Sequence, residues 1–272
     1  MQSQPQAEGM VFRATHAHKG RKIAVTPQNS TMKHLSYGRI ILDSGVPSAS
    51  FQTGASEVSL ICLSGSGTVT ANGQSHQLTR FDSIYIPRDS DVEVATTSSV
   101  DLVECSAEVE GKYPLQVVRY ADVEKDGSLK FVTGGESNTR TVNILIGKNV
   151  QAGRLLAGVT TSEPGNWTSW PPHEHASMLE ELYVYYDMPA PAFGVQFVYT
   201  NPDQPDVVSI VREGDAVLMP RGFHPNVAVP GHPINFVWMM AAHGEVEDRQ
   251  FGVVTVQPGF DRSGTGLEAS RK

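Results

Sequence analysis

Two segments, separated by about half the chain, carry the same pattern of residues. Phe81–Arg88 reads FDSIYIPR, and Gly214–Arg221 reads GDAVLMPR. A second pair of similar segments, Glu57–Cys62 and Glu181–Tyr186, occurs in the same order. Each pair alone is weak evidence, because alternating strands resemble one another. Their matching order predicts an internal duplication, with two homologous halves of similar fold.

The residues around the first of these segments are typical of short β-strands joined by turns. Strands are expected at Glu57–Leu63, Thr68–Ala71 and Phe81–Pro87, with a Gly/Ser turn at Ser64–Gly67 and an Asn-Gly hairpin turn at Asn72–Gly73. No long stretch repeats apolar residues every 3.6 positions, so long helices are not expected. Short strands at regular spacing predict an all-β barrel or sandwich.

The charge of the chain limits its partners. A net charge of −8 argues against nucleic acid and against an anionic membrane surface as partners. No apolar run is long enough to span a bilayer, and the polar start MQSQPQAEGM does not resemble a secretory leader. We therefore expect a cytoplasmic protein.

The residues with the clearest chemistry lie between Pro164 and Tyr186. His173 and His175 are two residues apart, so in a strand both point to the same face. Glu181 opens the next predicted strand, and Glu180 would then point the other way. A third histidine follows in the turn PRGFH, at position 224.

Three imidazoles and one carboxylate would make a mixed nitrogen and oxygen donor set. Such a set suits Zn, Mn, Fe, Ni or Co and leaves coordination positions open for water or substrate. Nine histidines make a chance His-x-His pair unsurprising, but the nearby glutamate and the turn before His224 favour a divalent metal site. In the N-terminal half, the residues Gln52–Ser56 before Glu57 contain no His-x-His pair, and the turn at Pro87–Asp89 lacks a histidine; the pair His16 and His18 has no carboxylate at the right distance. One metal site is therefore expected.

These motifs resemble those of the cupin barrel, although only Phe223 separates glycine from histidine in the second motif, where cupins usually have two residues. A narrower resemblance lies in PGNWTSWPPHEH, LEELYVYY, FGVQFVYT and DAVLMPRGFHPNVAVPGHP. They are similar to segments of the 5-deoxy-glucuronate isomerases of bacterial inositol breakdown. Those enzymes share a bicupin family with the 4-deoxy-5-hexosulose-uronate ketol-isomerases of pectin breakdown. The resemblance is dense from about Arg140 to Ala242 and thinner before it.

The resemblance implies an all-β bicupin of two antiparallel cupin-type β-barrels. A degenerate barrel without a metal would span residues 1–115, and a metal-binding barrel would span 116–272. The N-terminal barrel would be structural, covering sheet edges or forming a subunit interface, and we expect a homo-oligomer. The implied metal ligands are His173, His175, Glu181 and His224. Glu180 stays an alternative, because the spacing from His175 to Glu181 is one residue longer than in the commonest cupins.

The implied reaction converts 5-deoxy-D-glucuronate to 5-dehydro-2-deoxy-D-gluconate. A divalent metal would polarise the carbonyl and stabilise an enediolate, while a general acid and base move the proton. Tyr183 is a candidate for that proton transfer, with Tyr185 or a metal-bound hydroxide as alternatives. An arginine would bind the substrate carboxylate, with Arg221 as the first choice and Arg140 as the second.

Several further residues are candidates for the substrate pocket, namely Gln196, Tyr199, Trp167, Trp170 and Trp238. Three other functions remain open at this stage. The chain would also suit the related isomerase of pectin breakdown, a metal-dependent cupin oxygenase, or a cupin that binds sugar acids without catalysis.

Overall fold

The computed structural model describes residues 9–260, and every structural statement below refers to that part of the chain. It contains 22 strands and one short helix. The first half comprises β1 Val11–Phe12, β2 Gly20–Val25, β3 Ser36–Asp43, β4 Ser48–Gln52, β5 Ser56–Ala71, β6 Gln74–Thr79, β7 Ser83–Ile86, β8 Asp91–Ala95 and β9 Ser99–Glu108. The second half comprises β10 Gln116–Val118, α1 Tyr120–Val123, β11 Lys130–Thr133, β12 Arg140–Ile146, β13 Leu155–Ser162, β14 Trp167–Thr168, β15 His173–Glu174, β16 Leu179–Tyr185, β17 Gly194–Val198, β18 Val207–Val211, β19 Ala216–Met219, β20 Asn226–Ala228, β21 Asn235–Ala242 and β22 Thr255–Val256.

The all-β prediction is confirmed, and each half forms an inner and an outer sheet. The C-terminal inner sheet has the order β1-β19-β16-β21-β13-β12-β11, and the C-terminal outer sheet has the order β14-β20-β17-β18. In the first half, β10-β7-β5-β9-β3-β2 form the inner sheet. The N-terminal outer sheet consists of β4, β8, β6 and the second part of β5. No helix in residues 9–260 is long and apolar enough to cross a membrane.

The Gly/Ser segment that follows the first predicted strand was expected to be a turn, and that expectation is wrong. It continues β5, whose pairing with β9 shifts between Cys62 and Ser64. A Cβ atom at Gly65, where φ is +71°, would lie 2.1 Å from the carbonyl oxygen of Ser99. Glycine therefore allows a bulge through which one strand passes from the inner to the outer sheet. The predicted hairpin turn at Asn72–Gly73 is confirmed, with φ positive at both residues.

The two halves exchange their leading strands. β1 pairs with β19 of the second half, placing Val11 opposite Val217. In the same way β10 pairs with β7 of the first half, placing Val117 opposite Ile84. Each inner sheet is therefore completed by the other half, and a single buried cluster joins residues of both inner sheets.

The strand registers correct the expected alignment of the halves. Ile86 and Met219 hold the same place in the repeated motif, and they lie opposite Val58 and Glu181, respectively. Val58 is therefore the counterpart of Glu181, and it belongs to the apolar core of the N-terminal barrel. The sequence alignment of Glu57 with Glu181 is wrong by one residue.

Glu57 corresponds instead to Glu180, and both side chains link the two halves. The carboxylate of Glu57 accepts backbone N–H groups from residues 153–155 and the hydroxyl of Tyr85. The carboxylate of Glu180 accepts backbone N–H groups from residues 33–35, at 2.6–2.7 Å. Both glutamates are fully buried. The hydrogen bonds supply the partners that buried charges require.

Candidate active site

A cavity of about 70 Å³ opens inside the C-terminal barrel. Its walls come from β12, β13, β16 and β21, and one side is closed by the segment 251–254. The lining residues are Arg140, Val142, Thr160, Ser169, His173, His175, Leu179, Glu181, Tyr183, Phe236, Trp238, Met240, Phe251, Gly252, Val253 and Val254. Apolar side chains and a small number of polar groups share the lining, as is typical of a small-molecule site.

Three of the four predicted metal ligands form a tight buried group. One donor atom each from His175, Glu181 and His224 lies within 4.8 Å of the others. The Nε2 atoms of His175 and His224 lie 3.0 and 3.1 Å from the same oxygen, Oε2 of Glu181. The Nδ1 atoms face backbone carbonyls, those of Leu179 at 3.1 Å and Gly222 at 2.9 Å.

This arrangement calls for a cation. A carbonyl oxygen can only accept, so each Nδ1 carries the hydrogen and a neutral ring has its lone pair on Nε2. Those lone pairs would then face the carboxylate oxygen of Glu181, which is also an acceptor. The Nε2 atom of His224 is buried and has no hydrogen-bond partner of acceptable geometry within residues 9–260. A proton or a metal ion removes the conflict, and the donor set therefore fits a divalent metal.

His173 lies beside this group and not within it. Its ring centroid is 5.0 Å from that of His224 and 6.5 Å from that of His175. Its Nδ1 atom donates to the carbonyl oxygen of Pro171 at 2.9 Å, so its Nε2 atom also carries the lone pair. Burial, with a further contribution from His224, lowers the pKa of His173 to about 3. The ring is therefore neutral at physiological pH, which is the form that binds metals.

The two groups nearest to each other in the cluster have shifted pKa values. Burial raises the pKa of Glu181, but contacts with His175 and His224 outweigh it and lower the pKa to about 2. Burial lowers the pKa of His175, but the hydrogen bond and the charge of Glu181 outweigh it, and the net shift is upward. Glu181 is therefore ionised throughout the physiological range and supplies a fixed negative charge.

The register of β16 distinguishes the two adjacent glutamates. Side chains alternate along a strand, so Glu181 and Tyr183 face the cavity while Glu180 faces the other half of the chain. Glu180 does not line the cavity. Every residue of β16 is buried, because the strand lies between two packed layers.

Tyr183 lies in the cavity wall, as expected, and its partner was not foreseen. Its hydroxyl lies 2.7 Å from Oγ of Ser169, and its ring stacks on Phe236 at 4.2 Å. Ser169 has φ at +49°, a left-handed conformation that is uncommon for serine. Burial, followed by the charge of Glu181, holds the pKa of Tyr183 well above 10. Tyr185 lies outside the cavity lining and donates to Gln196.

The arginine expected first for the substrate lies outside the cavity. Arg221 is exposed and is not among the lining residues. Arg140 lines the cavity with 3% of its surface exposed, and it donates to the carbonyl oxygens of Asn138 and Trp170. The cavity thus contains the second candidate and not the first.

The remaining candidates lie around the cavity and not within it, apart from one tryptophan. Gln196 is fully buried and donates from Nε2 to the carbonyl oxygen of His224 at 2.9 Å, which holds the turn that carries this histidine. Tyr199 lines a separate groove on the outside of the barrel, as do Trp167 and Trp170. Trp238 lines the cavity itself.

Residues 251–260 form a strap over the site that the sequence did not predict. β22 within this strap pairs with β15, placing Val256 opposite His173. Phe251 stacks on Trp238 at a centroid distance of 5.0 Å. The strap residues come from the end of the described chain, and no local pattern marks them as part of a site.

The model of one protein family matches residues 10–253, which is most of the chain. The chain belongs to the KduI/IolB family. Among curated relatives, the 5-deoxy-glucuronate isomerase of Bacillus subtilis strain 168 is 30% identical over 238 residues, covering 80% of this chain and 84% of the relative. The enzyme of the same name from Geobacillus kaustophilus is 28% identical over 240 residues, covering 82% and 85%.

Solved structures agree with the cupin-type fold of this family member. An IolB-like protein from Salmonella typhimurium LT2 superposes with a TM-score of 0.79 at 23% identity, covering 92% of this chain and 97% of that protein. Oxalate decarboxylase from Bacillus subtilis superposes with a TM-score of 0.63 at 12% identity, covering 87% and 78%. The predicted fold class is therefore confirmed.

Proposed function

We propose that this protein is an aldose–ketose isomerase that converts 5-deoxy-D-glucuronate to 5-dehydro-2-deoxy-D-gluconate in myo-inositol catabolism. The observation that carries the proposal is the buried group of His175, Glu181 and His224 at the end of the cavity. It is a donor set for a divalent cation, whose positive charge would stabilise an enediolate formed beside it. Membership of the KduI/IolB family and the names of the curated relatives support the same reaction.

The metal would be held by His175, Glu181 and His224, with His173 as the fourth ligand. When bound, it would act as a Lewis acid toward the carbonyl and hydroxyl oxygens of the sugar. The metal analysis described below determines which of Zn, Mn, Fe, Ni and Co is bound. One solved relative in fold, the oxalate decarboxylase of Bacillus subtilis, has Mn(II) centres.

The chain's own residues bind the substrate and stabilise the charge that develops on it. Tyr183 keeps its phenolic proton at neutral pH and donates it as a hydrogen bond to the sugar oxygen where negative charge develops. The hydroxyls of Ser169 and Tyr183 share a hydrogen bond of 2.7 Å, and we assign Ser169 as its donor in the substrate complex, which leaves the phenolic hydrogen for the substrate. Arg140 lies in the cavity wall, where a guanidinium group suits a sugar carboxylate.

The strap and the aromatic wall exclude water from the reaction. Phe251, Val253 and Val254 present apolar groups on the side of the cavity nearest the end of the chain. A dry cavity strengthens hydrogen bonds to the developing charge. The methylene carbon of a deoxy sugar acid would also match these apolar groups.

Three further expectations belong to this proposal. The chain would divide into a metal-free barrel over residues 1–115 and a metal-binding barrel over 116–272, joined by the exchanged strands. The protein would be cytoplasmic, and it would act as a homo-oligomer on a small sugar acid.

The deciding experiment combines metal analysis with a substrate assay. The purified protein is assayed with 5-deoxy-D-glucuronate and with the 4-deoxy-5-hexosulose-uronate of the pectin pathway, in air and without oxygen. We expect turnover of the first substrate that does not depend on oxygen, disappears on chelation and returns on addition of one divalent metal. Preference for the second substrate, oxygen consumption, or tight binding without turnover would each contradict the proposal.

A further inference from the structure

The outward face of the C-terminal outer sheet is entirely apolar. Residues that alternate outward on its four strands are Trp167 of β14, Val227 of β20, Val195 and Phe197 of β17, and Val208 and Ile210 of β18. They form cross-strand neighbours, with Val227 and Ile210 opposite Val195 and with Val208 opposite Phe197. Val208 is 52% exposed and Ile210 is 46% exposed. We call these six residues the apolar face.

The duplicated half provides an internal comparison. The N-terminal outer sheet has the same strand connections, and its outward positions are polar apart from the small residue Ala95 at the end of β8. The polar ones are Ser48, Ser50, Gln52, Thr68, Thr70, Ser75, Gln77, Thr79, Asp91 and Glu93. The barrel fold itself therefore does not require apolar residues at these positions. Their presence on one half only indicates that something covers that half.

An aromatic groove of about 320 Å³ lies beside the apolar face and extends it. Trp167, Trp170, Phe197, Tyr199 and Phe260 line it together with four prolines and Val208. The sheet face alone covers roughly 250 Å², at about 4.8 Å between strands and 3.3 Å per residue. A stable interface takes about 800 Å² from each partner. Sheet and groove together are therefore needed for a stable contact.

Two opposite charges beside the apolar face would pair with the same two charges on a second copy of the chain. Asp206 and Arg212 lie immediately before and after β18, at opposite ends of a strand five residues long. Two copies packed face to face with antiparallel β18 strands would place Asp206 of one near Arg212 of the other, twice. β18 is the edge strand of this sheet, and Arg13 already donates to its backbone carbonyl oxygen at Ile210. The proposed contact therefore uses the face of the sheet and not its edge.

We propose that the apolar face and the aromatic groove form a two-fold interface between two copies of this protein. The apolar face carries no charged residue, and a permanent partner suits such a surface better than a transient one. The interface lies on the catalytic half, whereas the sequence suggested the N-terminal half. Its existence does not depend on the proposed reaction.

The test measures molar mass by sedimentation equilibrium of the full chain at micromolar concentration. The wild type is expected at twice the 29.5 kDa of the chain or at a higher even multiple. Val208→Glu combined with Ile210→Glu should lower that mass by a factor of two or more. The matched control, Thr68→Glu combined with Gln77→Glu, places the same charges on the polar sheet and should keep the wild-type mass.

Charge reversal tests the proposed orientation with two surface substitutions. Asp206→Arg and Arg212→Asp should each weaken association, and the double variant should restore it. These variants decide the matter if the glutamate pair at Val208 and Ile210 fails to fold, as judged by circular dichroism. A molar mass of 29.5 kDa for the wild type overturns the proposal. The apolar face would then have another occupant, either residues 261–272 or a different protein. Unchanged mass in a folded glutamate pair, or in both charge variants, overturns it as well.

Discussion

The two adjacent glutamates of β16 should respond in opposite ways to the same substitution. Glu181 faces the cavity and contacts His175 and His224, whereas Glu180 accepts three backbone N–H groups from residues 33–35. Replacing either by glutamine keeps the shape and removes the charge. Glu181→Gln should therefore lose metal and activity, and Glu180→Gln should lose stability while keeping its metal.

The expected loss for Glu180→Gln follows from its hydrogen bonds. Oε1 accepts from His34 and Leu35, and Oε2 accepts from Lys33. Glutamine can keep the first two bonds, but its NH₂ group would face the N–H of Lys33, leaving one buried donor unsatisfied. That defect, with the weaker neutral bonds, costs about 3 kcal/mol. At about 2–4 °C per kcal/mol, the melting temperature should fall by roughly 6–12 °C.

The assay pairs thermal unfolding with metal content by plasma emission spectroscopy. Glu57→Gln is the matched control, since Glu57 is the counterpart of Glu180 and also accepts three backbone N–H groups from the other half. It should lower the melting temperature by a similar amount and leave the metal bound. The reasoning is refuted if Glu180→Gln loses its metal at an unchanged melting temperature, or if Glu181→Gln retains full metal content.

Three further substitutions test individual contacts. Ser169→Ala should lower kcat about 10-fold, which corresponds to about 1.4 kcal/mol. Ser169→Gly should lower kcat by a similar factor. Its melting temperature should be no lower than that of the alanine variant, since glycine tolerates the positive φ. A normal kcat in both would contradict the role of Ser169 in positioning Tyr183. Arg140→Lys should raise KM by about 10–100-fold through loss of charged hydrogen bonds. Arg221→Lys should leave KM unchanged. The reverse pattern would indicate that Arg221, and not Arg140, binds the substrate carboxylate. His173→Ala should weaken metal binding by at least roughly 10-fold, the effect of losing a hydrogen-bond partner of a metal ligand. Its circular dichroism should remain that of a β-protein. Full metal content in this variant would show that His173 is not a ligand.

Much of the fold was predictable because its signals are local. Alternating apolar residues, the Asn72–Gly73 turn and the repeated FDSIYIPR and GDAVLMPR motifs each act over a few residues. They predicted an all-β duplicated chain correctly. The segment Ser64–Gly67 misled the prediction, because glycine and serine serve equally in a turn and in a bulge. Only the neighbouring strand, whose Ser99 carbonyl approaches Gly65, distinguishes the two.

The candidate site was predictable in its chemistry and less so in its geometry. His175, Glu181 and His224 come from separate strands and turns, yet their residue types identified them. Arg221 was preferred over Arg140 because it is close to His224 in sequence. In the structure Arg221 is exposed and Arg140 lines the cavity, which is why the proposal assigns the carboxylate to Arg140. Ser169 and the strap over residues 251–260 had no distinguishing pattern.

The sequence by itself determined the strand alternation, the duplication and the kinds of donor atoms available, since these depend on residue type and local spacing. Tertiary structure decided which residues meet. The pairing of β16 with β19 places Glu181 in the cavity and Glu180 against the other half, and a shift of one residue would exchange them. The exchanged strands, the Glu57 and Glu180 contacts and the apolar face likewise arise between segments far apart in the chain. Such contacts depend on long-range packing, which local patterns do not encode.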